Sequence, residues 1–313
     1  MKTKKQSYRV RHWKNYNAAL VARGNVTFWF DEHVVKACCS QVKTGKRGRS
    51  PTYTDAVIQC MLTLKAVFRL PLRATEGLWL SLVKLTQWDI AVPDYSTLCR
   101  RQKKLAVKIS RSPQQGAIHV VVDSTGLKVF GEGEWKVRQH GWSKRRTWRK
   151  LHLGVNAANG EIVAAAMTTH SISDGEMLPD LLSQIPEPIE QISADGAYDT
   201  ADCYEHIGEQ GARAAIPPRR GARIWQHGNA GKPPLARDEN LRAIRGKGRK
   251  RWKQEIGYHQ RSLAENTMFR IKTLFGSRLN ARLFESQTTE TLIRCNALNR
   301  MTRLGMPDSY PLA

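Results

Sequence analysis

The period of the apolar positions changes along the chain, and each change marks a different kind of element. The first fifty residues show scattered aromatics (Tyr8, Trp13, Tyr16, Trp29) among cations and no sustained period, so residues 1–50 read as a basic N-terminal arm ending in the run Lys43 to Arg49. From Thr54, a candidate N-cap, Val57, Ile58, Met61, Leu62, Leu64 and Phe68 recur at helical spacing. Pro71 punctuates, Leu78, Leu82 and Leu85 predict a second helix, and Pro93 to Ser96 opens a third over Thr97–Ile109. At residue 117 the period shortens. Ala117 to Asp123 is a nearly continuous β-branched run, which predicts a buried strand ending at Asp123. Leu151, Leu153 and Val155 alternate with polar or small residues, and Asn159-Gly160 predicts a tight hairpin into a strand over Ile162–Met167. A helix over Asp174–Ile185, a strand over Ile189–Ala194, a helix over Thr200–Gln210 and a short strand over Ala212–Ile216 follow. Residues 218–254, rich in Gly, Pro, Lys and Arg, read as a basic insertion or long loop before helices over Ile256–Phe275 and Thr289–Leu304.

Three antiparallel strands followed by helix, strand and helix is the order of a ribonuclease-H-like mixed sheet. The expected class is therefore α/β, with that core over 113–313 and a mainly helical region over 51–112. Charge adds a partner to this picture. The 313 residues carry 51 Lys and Arg against 27 Asp and Glu, a formal net charge of +24. It is unevenly spread: +16 over residues 1–115, −5 over 116–217 and +13 over 218–313. An excess of this size implies a polyanion, with nucleic acid first in line. An acidic middle in a basic surround suits metal-ion chemistry on phosphate; an ordinary acidic surface is the other reading left open. The third predicted helix, with Arg100 and Arg101, gives the 51–112 region the look of a helix-turn-helix DNA-binding unit. The stretch from Lys136 to Lys150 interleaves Trp142 and Trp148 with Arg145 and Arg146, a pattern suited to backbone contacts and base stacking, or to pinning a loop. Arg242 to Lys253 reads as a loop that tracks a phosphate backbone. No signal peptide, no run near the roughly 20 apolar residues of a membrane span, and no zinc-type spacing among the six cysteines is present, so a reducing cytoplasm is expected.

Three carboxylates stand out. Asp123 and Asp195 each close an apolar strand, where a carboxylate serves as a turn residue or binds a cation. Glu265 lies on a predicted helix. At about 100° per residue, Tyr258, Arg261, Glu265 and Lys272 share one narrow arc opposite an apolar stripe. That row is a solvated polar face or a working one. Asp199, four residues past Asp195, reads as a helix N-terminal acid or as a group supporting Asp195, the former being preferred.

Taken together these segments resemble the DDE transposases of bacterial insertion sequences, the IS4/IS5-type branch. Tyr258, two residues, Arg261, three residues, Glu265, six residues, Lys272 matches the hallmark of that family at every spacing. Val121-Val122-Asp123-Ser124-Thr125-Gly126 and Ala194-Asp195-Gly196-Ala197-Tyr198-Asp199 look like its two Asp blocks, and the segments Tyr8–Tyr16 and Val92–Leu98 look like the IS5 group. The resemblance implies that Asp123, Asp195 and Glu265 hold two divalent ions, Mg²⁺ with Mn²⁺ as a substitute, for cleavage at the element ends and joining of the freed 3′-OH to target DNA. It implies phosphate contacts from Arg261 and Lys272, a nucleotide-holding role for Tyr258, and an assembly of at least two copies on DNA. A metal-dependent nuclease of the same fold without strand transfer is the alternative, and a non-catalytic DNA-binding protein a further one.

Overall fold

The computed structural model describes residues 7–30, 52–88, 90–129, 148–219, 221–226 and 234–312. The basic run Lys43 to Arg49 and the side chains Trp142, Arg145 and Arg146 lie outside the described residues. The chain forms two compact units, one of residues 1–107 with 296–313, the other of residues 108–295. The final eighteen residues thus pack with the N-terminal unit, although the sequence assigned everything after 113 to one domain.

In the first unit the described part of the supposed arm, residues 7–30, is folded. Strand β1 (Tyr8–Val10) leads into α1 (Trp13–Ala22) and α2 (Val26–Trp29), and Trp29 is fully buried. Periodicity missed these helices because four- and ten-residue segments carry too few turns to show it. Helix α3 (Asp55–Val67) starts where Thr54 accepts a hydrogen bond from Val57 N, and it buries Val57, Ile58, Met61 and Leu64. Helix α4 (Leu72–Thr86) follows Pro71 and buries Trp79. Asp94 caps α5 (Tyr95–Gln102) by accepting from Ser96 N and Thr97 N, as the Pro-Asp-Tyr-Ser start suggests. That helix stops seven residues short of the expected Ile109, the chain turning at Lys103 and Lys104.

In the second unit a five-stranded mixed sheet runs in the order β4-β3-β2-β5-β6. Its strands are β2 (Ile118–Lys128), β3 (Trp148–Asn156), β4 (Ile162–Thr169), β5 (Ile189–Ser193) and β6 (Arg213–Ala215). The first three are antiparallel, and β5 and β6 join parallel to β2, which is the ribonuclease-H-like arrangement. The hairpin sits at Asn159-Gly160, where Gly160 takes φ +71° and Asn159 Oδ1 accepts from Glu161 N at 2.9 Å. Strand β2 does not end at Asp123. It continues through Lys128, paired with Trp148 to His152, so Asp123 sits mid-strand opposite Leu153. The polar run Asp123-Ser124-Thr125-Gly126 looks like a turn in sequence and is a strand because β3 supplies partners for its backbone.

One face of the sheet packs Val120, Val122 and Ile192 against α6 (Leu178–Leu182) and α7 (Ala201–Glu209), through Leu178, Leu181, Cys203 and Ile207. The basic segment expected to be a loop holds two helices, α8 (Ala236–Lys247) and α9 (Arg249–Glu255). Gly257 at φ +68° then breaks the helical path. Tyr258–Arg261 therefore form a 3₁₀ turn, and α10 (Ser262–Phe275) starts only after it, not at Ile256. Helix α10 packs on β2 and β3, on the face opposite α7. Backbone bonds from Lys128 N to Ser277 O and from Leu279 N to Lys128 O tie the end of β2 to the chain leaving α10. Helix α11 (Phe284–Leu304) passes from the second unit into the first, and β7 (Ser309–Pro311) pairs antiparallel with β1. Among the described residues no helix is long and apolar enough to cross a membrane.

Candidate active site

The pleat of β2 puts His119, Val121, Asp123 and Thr125 on the side facing α10. Val121 is in register with Ser193 of parallel β5, so Asp123 and Asp195, two residues beyond each, emerge at the same level of the sheet. Asp195 turns immediately: its Oδ1 accepts from Ala197 N at 2.8 Å and caps the 3₁₀ turn Gly196–Tyr198. Glu265 comes from the first turn of α10 and is 57% exposed at its side chain, whereas the Asp123 side chain is 16% exposed.

Arg261 joins these elements. Its guanidinium lies 3.3 Å from Asp123 Oδ2 and 2.7 Å from Glu265 Oε1, bridging β2 and α10, with Arg261 itself 138 residues beyond Asp123 in sequence. The sequence-predicted row is thus real in part: Arg261 and Glu265 form the expected i,i+4 pair, while Tyr258 reaches the same region from the 3₁₀ turn and not from the helix wheel. Lys272 Nζ, two turns past Glu265, donates to Thr125 Oγ1, two residues along β2 from Asp123.

Electrostatics reports the same convergence. Burial pushes the Asp123 carboxyl above the usual range, the Ser124 N–H and Arg261 pull it back, and the neighbouring charges of Asp195 and Glu265 push it further up. Burial raises the Tyr258 hydroxyl, Arg261 pulls it back, and the charges of Asp195, Asp123 and Glu265 push it further up. Its ring lies 6.0 Å from that of Trp252 and under Lys253 Nζ at 4.8 Å. Burial lowers the Lys272 ammonium.

Among the described residues no three His, Cys, Asp or Glu side chains stand close enough to share one metal ion. The donor set nonetheless suits a hard dication. It consists of carboxylate oxygens with no sulfur or imidazole, and a guanidinium already stands between two of them as the balancing cation.

Other expected contacts lie elsewhere. Arg100 is exposed on α5 and hydrogen-bonds Thr97, and Arg101 is turned inward, donating to Tyr53 O at 2.9 Å and pairing with Asp55 at the start of α3. Trp148, at the start of β3, is half-buried; its ring would meet a Cβ on Gly126 at 3.3 Å and lies 5.9 Å from Lys128 Nζ. Arg242 to Lys253 occupy α8 and α9 rather than a loop.

Sequence reasoning left several groups around this site open or unread. Asp199 precedes α7, which Thr200 caps, and is buried against Arg237 at 2.8 Å. Its partner lies 38 residues away, so no local pattern signals it. Gln191 donates to Ile256 O at 2.9 Å, and Ser193 hydrogen-bonds His119 at 2.8 Å, beneath the turn that carries Tyr258. Phe269, one turn beyond Glu265, is 69% exposed on an otherwise polar outer face of α10. The only available signal was an apolar residue on the polar side of the helix wheel.

Among solved structures, the chain is similar to the piggyBac transposase synaptic complex with hairpin DNA, determined by cryo-EM, with 11% identity, a TM-score of 0.43, and coverage of 95% of this chain and 76% of that one. One family described as "Transposase DDE domain" matches residues 21–132, and a second family of the same description matches residues 114–300. The second match spans more than half of the sequence, and the chain belongs to the DDE transposases of the IS4/IS5 type, divalent-metal-dependent enzymes that cleave and transfer DNA.

Proposed function

We propose that this transposase binds the terminal inverted repeats of its own insertion sequence, cleaves at the element ends and joins the freed 3′-OH groups to target DNA. Asp123, Asp195 and Glu265 are the carboxylates that would hold two Mg²⁺ ions, with Mn²⁺ able to substitute. Bound there, divalent ions supply Lewis acidity at the scissile phosphate and favour deprotonation of the attacking water or 3′-OH. The observation that carries the reading is the Arg261 bridge between Asp123 and Glu265, which marks a site built to balance converging negative charge.

The protein's own groups do the rest. Arg261 lies at the carboxylates and, once their charge is otherwise balanced, offers its planar fork to phosphate oxygens. Lys272, held at Thr125, presents a cation along the same face. Tyr258 offers a ring beside the carboxylates for a terminal nucleotide lifted from the duplex. Arg100, Trp142, Arg145, Arg146 and Trp148 are proposed as further DNA contacts, and Arg101 acts there only if it leaves Asp55. Two ends must be joined in one event, so the working form is at least a dimer on DNA.

The test incubates purified full-length protein with Mg²⁺, a labelled inverted-repeat end and a target plasmid. Joined product from wild type and none from Asp195→Ala is expected. Cleavage without joining would convert the proposal to a nuclease of the same fold, and joining by Asp195→Ala would refute the site assignment.

A further inference from the structure

Asp199 and Arg237 form an ion pair almost wholly removed from water, with side chains 1% and 4% exposed. Burying two charges is costly, and a pair of this kind is not retained for stability alone, because apolar replacements of similar volume do as well or better. What the pair holds is therefore informative. Asp199 Oδ1 accepts from Arg237 Nε at 2.8 Å, and Oδ2 accepts from Arg219 N at 2.9 Å. The Arg219 side chain turns back to donate to Gly196 O at 3.2 Å, in the turn that follows Asp195. Asp199 N also donates to Gly196 O, so two bonds, one from Asp199 and one from Arg219, close on Gly196 O, and a third ties Arg219 to Asp199.

Arg237 fixes the other end. Its Nη1 donates to Arg223 O at 2.8 Å, its guanidinium lies 3.6 Å over the Trp225 ring, and neighbouring Asp238 accepts from the N–H groups of Trp225 and Gln226. Both residues lie in the first turn of α8. From there Asn240 donates to Ala214 O on β6 and accepts from Trp252, whose ring neighbours that of Tyr258. The Asp195 turn and the Tyr258 turn are therefore two ends of one brace running through α8.

We infer that Asp199 and Arg237 are positioning residues that hold the Asp195 carboxylate at its working place, acting through the Gly196–Tyr198 turn. The inference rests on the reading of Asp195 as a metal-holding carboxylate. Partners one bond removed from a metal ligand change metal affinity by about 10- to 100-fold when lost.

The experiment measures Mn²⁺ binding to the full-length protein by electron paramagnetic resonance, alongside thermal melting. Asp195→Ala should abolish the tightest Mn²⁺ site; if it does not, the underlying reading fails and the inference falls with it. Asp199→Asn should weaken Mn²⁺ binding about tenfold and lower the melting temperature, because the buried Arg237 keeps only the longer pairing with Asp238, at 3.4 Å. The triple variant Asp199→Asn, Arg237→Met, Asp238→Asn removes all three buried charges and should recover the melting temperature without recovering Mn²⁺ affinity. Arg219→Ala, at an exposed position, should weaken Mn²⁺ binding at unchanged melting temperature. Wild-type Mn²⁺ affinity in Arg219→Ala and in the triple variant would overturn the inference, since the pair would then serve folding alone.

Discussion

Replacing Ile271 by alanine tests whether the seat of α10 on the sheet sets the site. Ile271 is 1% exposed on the side of α10 that packs on β2 and β3, and the same helix carries Glu265 and Lys272. Truncating a fully buried isoleucine removes its transfer free energy and leaves a cavity, a cost of about 2–5 kcal/mol. At about 3 kcal/mol and about 2–4 °C per kcal/mol for a unit of this size, melting should fall by roughly 6–12 °C. The protein stays folded at 25 °C, but the helix settles toward the cavity. A displacement near 1 Å at a reacting group can cost about a hundredfold in rate. Ile207 provides the control. It is equally buried, lies in α7, and packs on the opposite face of the sheet with Val120 and Val122. Ile207→Ala should lower melting by a similar amount and leave cleavage of a labelled inverted-repeat end within a few-fold of wild type. Equal losses of cleavage in the two variants, or none in Ile271→Ala, would show that the helix seat does not govern the site.

Three further outcomes are expected. Burial raises the Asp123 carboxyl, so the folded chain holds that proton more tightly than the unfolded chain; the associated stability is present below the unfolded value of 3.8 and is lost as pH rises through the folded one. Asp123→Asn should therefore melt at or above wild type at pH 7, with the difference vanishing toward pH 4, while cleavage is abolished; a lower melting temperature at neutral pH would contradict this. Arg261→Gln removes the cation that competes for Asp123 and Glu265, an ion pair worth on the order of 1 kcal/mol, so Mn²⁺ affinity without DNA should rise about fivefold while DNA cleavage falls; weaker Mn²⁺ binding would count against the bridge as a stand-in. Phe269→Ala, at an exposed position, should leave melting within about 0.5 kcal/mol of wild type and raise the Kd for an unpaired DNA end by roughly 5- to 150-fold, as expected for loss of one stacked base worth about 1–3 kcal/mol; an unchanged Kd in fluorescence anisotropy would remove Phe269 from the interface.

What the sequence disclosed and what it concealed divide along the range of the interactions involved. Thr54, Asp94 and Asn159-Gly160 act on backbone groups within three residues, so their cap and turn chemistry was readable locally. The far half of β2 was not, because Ser124 to Lys128 become strand through pairing with β3 across a long intervening segment. Helices α8 and α9 were hidden for a related reason. Their composition is that of a solvated loop, and α8 is anchored by Arg237 and Asp238 to groups up to 38 residues away. The break at Gly257 had a visible signal, since a glycine inside a helical period invites a left-handed residue, and reading it would have moved Tyr258 off the helix wheel. The Arg261–Glu265 pair was legible because its spacing is one helical turn, whereas the brace behind Asp195 was not, because nothing local ties Asp199 to Arg237. The groups proposed to touch DNA sit in short local motifs, and those proposed to hold them in place need not. A site can thus be recognised from sequence while the contacts that set its geometry are found only in three dimensions, and Asp199 is the residue where that difference can be measured.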